Sequence, residues 1–225
     1  TWGTSLGTSI DLVKGVSSSM NIQYKTPSLA GTTLAVAYAP KNDGAMINDK
    51  GVSGATKDSY TGAGYDIMLD STIAGQNLFL GYSTTERSAE MLNSARPQTD
   101  IEEGIAGLIL NIGPLKVGAQ ASVEWEGEEQ VEANVAGYRN IAYGAAFNVN
   151  DNLSISYGFM ESDRGYVSLD TANAGRHQIM EITSYQVAYT MGGATIKIAE
   201  TDADNVGYSQ GTNKSATTVA LSLAF

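Results

Sequence analysis

Residues 217–225 read Thr-Thr-Val-Ala-Leu-Ser-Leu-Ala-Phe, and the pattern in this stretch decides the fold class. Large apolar side chains stand at every second position, and Thr, Ala and Ser fill the positions between them. A period of two matches a β-strand, whose successive side chains point to opposite faces, and does not match a helix. Because the second face carries small residues rather than charges, the pattern predicts a strand with lipid on one side and a small-residue interior on the other.

The same alternation recurs upstream of this stretch. Apolar residues alternate with polar or small residues over 20–25, 115–125, 153–160 and 184–189. Over 104–112 both sets of alternate positions are apolar or Gly, so the sequence leaves open which of them faces inward. The repeated period of two predicts a sheet made of many similar strands.

The connections between these segments alternate in length. Short, turn-like connections are predicted at 27–31, 71–75, 113–114, 151–152 and 192–193. Long polar connections are predicted at 40–58, 86–98, 127–135, 163–176 and 203–212. In an antiparallel sheet this places short turns at one end and long loops at the other, which is typical of transmembrane barrels.

These signals predict an all-β fold, a transmembrane antiparallel β-barrel with about eleven strands in this sequence. Residues 1–16 lack a clean alternation and are predicted to be a loop. Since single-chain bacterial barrels have an even number of strands, we expect further strands to complete the barrel. A barrel that counts residues 1–16 as a twelfth strand is the alternative. The predicted strands are 18–26, 32–39, 59–69, 76–85, 100–112, 115–126, 137–149, 153–162, 178–190, 194–202 and 213–225.

Composition excludes several classes of protein. The 225 residues carry a formal net charge of −11 and no basic stripe, so binding to nucleic acid is not expected. The absence of Cys removes disulfides, zinc fingers and thiol catalysis. No run approaches the roughly 18 apolar residues of a spanning helix. The mean hydropathy of −0.13 is compatible with a barrel, in which only alternate residues need be apolar.

The single histidine, His177, is the residue to weigh for catalysis. Some outer-membrane barrels use Ser and His as an esterase pair, and Ser184 lies seven residues further on. An odd separation in a strand puts the two side chains on opposite faces, out of hydrogen-bond reach. A partner for His177 from another strand is the alternative, but a single His is more often a surface loop residue. We therefore expect no enzymatic activity and no catalytic residue.

Residues 20–38 resemble a known family. They read Met-Asn-Ile-Gln-Tyr-Lys-Thr-Pro-Ser-Leu-Ala-Gly-Thr-Thr-Leu-Ala-Val-Ala-Tyr, which looks like a strand–turn–strand segment of Gram-negative trimeric general porins. The terminal Phe225, with apolar residues at alternate positions before it, resembles the assembly signal that barrel-assembly machinery reads during biogenesis. The resemblance implies an outer-membrane location, a homotrimer and sixteen strands. It also implies that residues 1–17 are the tail of the pore-constriction loop and 18–225 the barrel strands.

A porin offers a water-filled path whose selectivity depends on its width and on its lining charges. The resemblance implies passive diffusion of small hydrophilic solutes and ions. A structural, receptor or adhesion barrel without an open channel is the alternative, but the inward residues are mostly small, which favours a pore. The predicted pore-lining residues are Asp11 in the loop tail and Lys25, Asp66, Lys116, Glu124 and Lys197 on the wall. Each of them could instead merely solvate a polar interior.

Acidic residues gather near the predicted outer rim. The candidate cation-binding residues among them are Glu126, Glu128, Glu129, Asp202 and Asp204. Carboxylates could bind Ca²⁺ there, or bridge through divalent cations to lipopolysaccharide phosphates. The alternative, which we favour, is a solvated rim that raises the local concentration of cations. No cofactor is expected, and the partners expected are outer-membrane lipid and lipopolysaccharide.

Overall fold

The computed structural model describes residue 10 and residues 12–16, 20–40, 61–87, 100–126, 135–166 and 177–223. The described chain forms one antiparallel sheet in which each strand pairs with the next strand in sequence. In chain order the strands are β1 Ile22–Lys25, β2 Thr32–Ala39, β3 Thr61–Ile73, β4 Gln76–Arg87, β5 Ile101–Ile112, β6 Leu115–Trp125, β7 Val135–Asn148, β8 Leu153–Tyr166, β9 His177–Met191, β10 Ala194–Asp204 and β11 Lys214–Leu223.

The eleven predicted strands are confirmed, and so is the all-β fold class. Five connections of six residues or fewer lie at one end of the sheet, because every second connection between antiparallel neighbours returns to that end. Three of them have only two residues, and in one of these, Ala74–Gly75, φ is +50° and +77°. Two consecutive positive φ values twist the backbone in the direction that joins two strands with a two-residue turn.

Several predicted boundaries were wrong. The predicted turn at 71–75 is shorter, because β3 continues to Ile73. Strand β8 continues to Tyr166, so Asp163 lies in a strand rather than in a loop. The predicted loop 203–212 contains a short 3-10 turn, Val206–Tyr208, which the sequence pattern did not indicate. Among the described members of residues 1–16 there is no strand, so these residues do not support a twelfth strand.

The two faces of the sheet differ in chemistry. We call the face that contacts residues 12–16 the inner face and the opposite face the outer face. Along β2 the side chains of Leu34, Val36 and Tyr38 are exposed on the outer face, while Ala35 and Ala37 lie between them on the inner face. Small residues inward and large apolar residues outward are the arrangement that the sequence predicted.

The orientation of β5, which the sequence left open, is fixed by its partners. Glu103 is opposite Ser83 of β4 and Glu124 of β6, and the exposure of Glu103 is only 2%. Glu102, the preceding residue, is exposed on the outer face. Strand β5 therefore places Glu103 on the inner face with the segment that lies against it.

The outer face is covered with exposed apolar and aromatic side chains. Leu80, Ile141 and Ile198 are each at least 45% exposed, and similar residues cover the neighbouring strands. Soluble monomers rarely expose a continuous apolar surface of this kind. Near the long-loop end, the hydroxyl of Tyr82 donates to Glu102 at 3.1 Å. Rings with an apolar body and a polar tip suit a membrane–water interface.

No helix in the described ranges is long and apolar enough to cross a membrane.

Candidate functional site

The inner face carries buried hydroxyl and amide side chains toward the long-loop end of the sheet. These side chains have exposures between 0% and 3%. A soluble core would place aliphatic side chains here, because buried polar groups need partners. The polar inner face therefore indicates an interior that contacts water or polar segments of the backbone. Its buried members are Ser83, Thr85, Ser122, Asn140 and Ser162, with Thr201 on β10.

Residues 14–16 lie against the inner face and are held there by carboxylates. The backbone N–H of Lys14 donates to Oε1 of Glu103 at 3.1 Å, and that of Gly15 donates to Oε2 at 3.0 Å. Gly15 has φ of +58°. Successive N–H groups around a left-handed residue form a concave anion site, which here encloses one carboxylate. Glu103 is thus the anchor of this segment.

A second carboxylate continues the anchor. The backbone N–H of Val16 donates to Oδ2 of Asp66 at 2.6 Å. The side chain of Val16 is 2% exposed and packs against Gly64. A Cβ added at Gly64 would lie only 3.0 Å from Cγ1 of Val16. Three consecutive N–H groups, Lys14 to Val16, therefore bond to the wall through Glu103 and Asp66. We call residues 10 and 12–16 the crossing segment.

The electrostatics of the wall explain why the crossing segment is needed. Glu103 and Glu124 are directly opposite on β5 and β6. Two like charges in this relation destabilise a bare sheet. The Nζ atom of Lys14 lies 4.0 Å from Oε1 of Glu124, and the N–H donors of the segment bond to Glu103. The crossing segment therefore supplies the positive partners that this carboxylate pair requires.

The other end of the crossing segment contacts the opposite part of the sheet. Ile10 packs against an apolar cluster formed by Ile182 of β9, Ala203 of β10 and Val206. Ile10 therefore contacts β9 and β10, whereas Val16 bonds to β3. The described residues 10 and 12–16 thus contact strands far apart in the sheet rather than following one strand.

The predicted pore-lining residues fall into two groups. Lys25, Lys116 and Lys197 lie on the inner face and are exposed. Asp66 and Glu124 lie on the same face, but each contacts the crossing segment. The predicted acid of the loop tail, residue 11, lies outside the described residues.

The sequence reasoning missed several charged residues of the inner face, among them one each on β3, β5 and β8. Glu103 was missed because its strand showed no clear phase, and its orientation follows from its pairing with Ser83 and Glu124. Asp70 lies inward opposite Phe79, in a part of β3 where the prediction placed the strand's end. Arg164 lies in the extension of β8, with its guanidinium carbon 4.5 Å from the ring centre of Tyr208. The continued alternation of β8 past residue 162 was the sequence signal that would have placed Arg164 on the inner face.

The acidic rim is only partly described. Asp202 and Asp204 are exposed on the outer face of β10, and Glu126 is half-buried just after β6. Residues 128 and 129, and the terminal residue 225 of the predicted assembly signal, lie outside the described ranges. Within those ranges, no group of three or more His, Asp or Glu side chains could hold a metal ion.

His177 is part of an ionic group on the outer face. Its Nδ1 lies 2.9 Å from Oδ1 of Asp163, and the same carboxylate accepts a hydrogen bond from Arg139 at 2.5 Å. Ser184 bonds instead to Thr201, at 3.0 Å between hydroxyl oxygens, on the inner face. His177 and Ser184 therefore lie on opposite faces and do not form a nucleophile–base pair.

Comparisons with known proteins agree with this architecture. The family model of Gram-negative porins matches residues 1–184. No curated protein matches the chain in sequence. The anion-selective porin from Comamonas acidovorans is similar in structure, with a TM-score of 0.62 and 11% identity over 91% of this chain and 59% of that one.

Two further solved structures show the same fold. OmpT, an outer membrane protein of Vibrio cholerae, gives a TM-score of 0.54 at 12% identity, covering 89% of this chain and 60% of that one. A porin refined at 1.8 Å resolution gives 0.54 at 15% identity, covering 90% and 60%. The chain thus spans about six tenths of the length of these structures. At these identities the likeness concerns the fold.

Proposed function

This chain belongs to the Gram-negative porin family and is a β-barrel protein of the outer membrane, and on that premise we propose that it lets small hydrophilic solutes and ions diffuse passively through a water-filled pore. A pore of this kind needs a polar interior, an apolar exterior and an element that limits its width. No chemical step is required of the protein.

The observation that carries the proposal is the crossing segment held against the inner face. Lys14, Gly15 and Val16 donate their backbone N–H groups to Glu103 and Asp66 on the wall. A segment fixed in this way narrows the interior without filling it, because the remaining inner side chains are mostly Ser, Thr, Ala and Gly. In the proposal, residues 1–17 are the tail of the constriction loop and residues 18–225 contribute strands to the barrel.

The charges of the inner face bear on which ions pass. The exposed inward residues include Lys25, Lys116 and Lys197, whereas Glu103 is 2% exposed and Glu124 7% exposed. The accessible inner wall is therefore more cationic than the formal net charge of −11 suggests. These lysines attract a passing anion, whereas the acidic outer rim repels anions and attracts cations.

The partners follow from the same proposal. The apolar outer face contacts outer-membrane lipid and lipopolysaccharide, and a homotrimer buries part of that face between copies. Phe225 is the proposed signal for the barrel-assembly machinery, and nucleic acid has no place in the function. In this proposal the protein is not an enzyme, because diffusion through a pore requires no chemical step; among the described residues, Ser184 bonds to Thr201 on the inner face while His177 lies on the outer face.

The test is uptake into liposomes that contain the full-length protein. Swelling in neutral sugars of increasing mass should be fast for the smallest sugar and fall steeply with size, relative to liposomes without protein. Neutral sugars remove the effect of the inner charges, so the size dependence reports width alone. If correctly folded protein gives no uptake of any sugar, the channel is refuted and the barrel has a structural or receptor role instead.

A further inference from the structure

The connection between β10 and β11, residues 205–213, is folded inward rather than extended away from the sheet. Val206 is 5% exposed and Tyr208 is 3% exposed, although both lie in a connection of nine residues rich in Gly and polar side chains. Solvated loops do not bury their largest side chains. We call residues 205–213 the inner arm.

The inner arm is closed by its own hydrogen bonds. The N–H of Val206 donates to the carbonyl of Thr212 at 2.7 Å, and that of Gly211 donates to Oδ1 of Asn205 at 2.9 Å. The side-chain amide of Asn205 donates to the carbonyl of Ile179 on β9 at 3.0 Å. The arm is therefore a fixed structure attached to β9.

Tyr208 connects the arm to a strand two places away. Its hydroxyl lies 2.7 Å from that of Ser162 on β8, and β9 runs between β10 and β8. The tyrosine must cross the inner face of β9 to make this bond. Met180, the β9 residue paired with Ser162, is 0% exposed, as expected if the arm covers it.

The backbone at Tyr208 shows that this position is imposed by contacts. Its φ is +60°, in the left-handed region that costs a bulky residue free energy. The ring lies 5.6 Å from that of Tyr138 and 4.5 Å from the guanidinium carbon of Arg164. These contacts, with the bond to Ser162, offset the strained conformation.

The inner arm also supports the crossing segment. Val206 of the arm shares one apolar cluster with Ile182 and Ala203, and Ile10 packs against that cluster. The crossing segment is thus anchored by carboxylates at residues 14–16 and by apolar contact with the arm at its other described end. Removing the arm would leave Ile10 without part of its packing surface.

We propose that residues 205–213 form a second pore-narrowing element, latched by Tyr208, which limits the pore's width together with the crossing segment. The inference rests on the proposed diffusion function and deepens it. It assigns a size-limiting role to Tyr208, Ser162 and Val206, none of which is charged. Solutes are excluded by width at this point, since Tyr208 and Val206 are buried against the wall and offer no charge to an ion.

The test uses the absence of Cys from these 225 residues. In the full-length protein, M180C should react slowly with a membrane-impermeant thiol reagent, and adding Y208A should raise the rate by at least about tenfold, because a hydrogen bond and a buried ring are both lost. S222C, exposed on the inner face of β11, is the matched control and should react equally in both backgrounds. S162A changes no residue of the arm but removes the partner of the Tyr208 hydroxyl, so it should raise the M180C rate by a smaller factor. It serves as the test if Y208A fails to fold.

The same variants are then measured in planar bilayers. Y208A or S162A should increase the single-channel conductance and the size of the largest sugar taken up. Unchanged labelling of M180C in both variants, or increased labelling with unchanged conductance, would overturn the second narrowing element. If the parent protein itself carries no current, the proposed diffusion function fails instead, so the two failures are distinguishable.

Discussion

Replacing Glu103 with Gln separates the anchoring of the crossing segment from the stability of the barrel. The carboxylate is 2% exposed and accepts two backbone N–H bonds, at 3.1 and 3.0 Å. In E103Q only one oxygen remains to accept a hydrogen bond. The new NH₂ group faces the other backbone N–H, and two donors cannot bond to each other. One hydrogen bond is lost outright and the charge is removed from the other.

The size of the effect follows from these contacts. A hydrogen bond to a charged group contributes about 1.5–3 kcal/mol and a neutral one about 0.5–1.5 kcal/mol, so losing one bond and removing the charge from the other should weaken anchoring by about 2–4 kcal/mol. At 1.4 kcal/mol for each factor of ten, the ratio of anchored to released segment falls roughly 30-fold to 700-fold. The barrel itself should lose little stability, because the repulsion between Glu103 and Glu124 disappears at the same time.

The assay compares E103Q with E102Q in the full-length protein. Glu102 precedes Glu103 in the same strand, is exposed on the outer face and bonds to the hydroxyl of Tyr82. E102Q makes the same change of charge without touching the crossing segment. We expect E103Q alone to raise conductance and admit larger sugars. Equal conductance and equal sugar limits in E102Q and E103Q would refute the anchoring role.

Three further changes probe the anchor, the inner charges and the strand packing. G15A forces Ala into φ +58° and places its Cβ 2.5 Å from Oδ2 of Asp66, so it should release the crossing segment and widen the pore. The control is G192A, where φ is +57° and nothing lies within 4 Å of the added Cβ; it should leave the pore width unchanged. Sugar uptake compares the two variants. K197E should make the channel more cation-selective, because Lys197 lies on the inner face. For ions about 7 Å away at low salt, the change should be at most about sevenfold for each ion, and therefore at most about 50-fold in the cation-to-anion permeability ratio measured from the reversal potential. An unshifted reversal potential would exclude this lysine from the ion path. G137A places a Cβ 2.1 Å from a backbone oxygen of β6 and should lower the free energy of unfolding by about 1–3 kcal/mol. In urea titrations the control is G158A, whose added Cβ has nothing within 4 Å. Similar unfolding midpoints in the two variants would contradict the close packing of β7 against β6.

The strands were predictable because alternation is a local signal. Leu34, Val36 and Tyr38 stand at every second position, and any pairing that buries or exposes one of them treats the others alike. The same logic placed Lys25, Lys116 and Lys197 on one face before any pairing was known. Period and turn residues therefore sufficed for the sheet.

The anchors were not predictable for a physical reason. Glu103 acquires its role from residues 88 and 89 positions away, and no local pattern reports such a contact. Tyr208 falls within the predicted long polar connection 203–212, yet it is held inward by Ser162 across β9. Long-range hydrogen bonds between a loop and a wall leave no periodicity in the sequence.

The central claim, that this porin is an open diffusion channel, is tested most directly by recording the full-length protein in a planar bilayer. The account predicts stepwise conductance that rises in proportion to salt concentration, with steps grouped in threes if the protein is a trimer. Folded protein that inserts into the bilayer and carries no current would contradict the account.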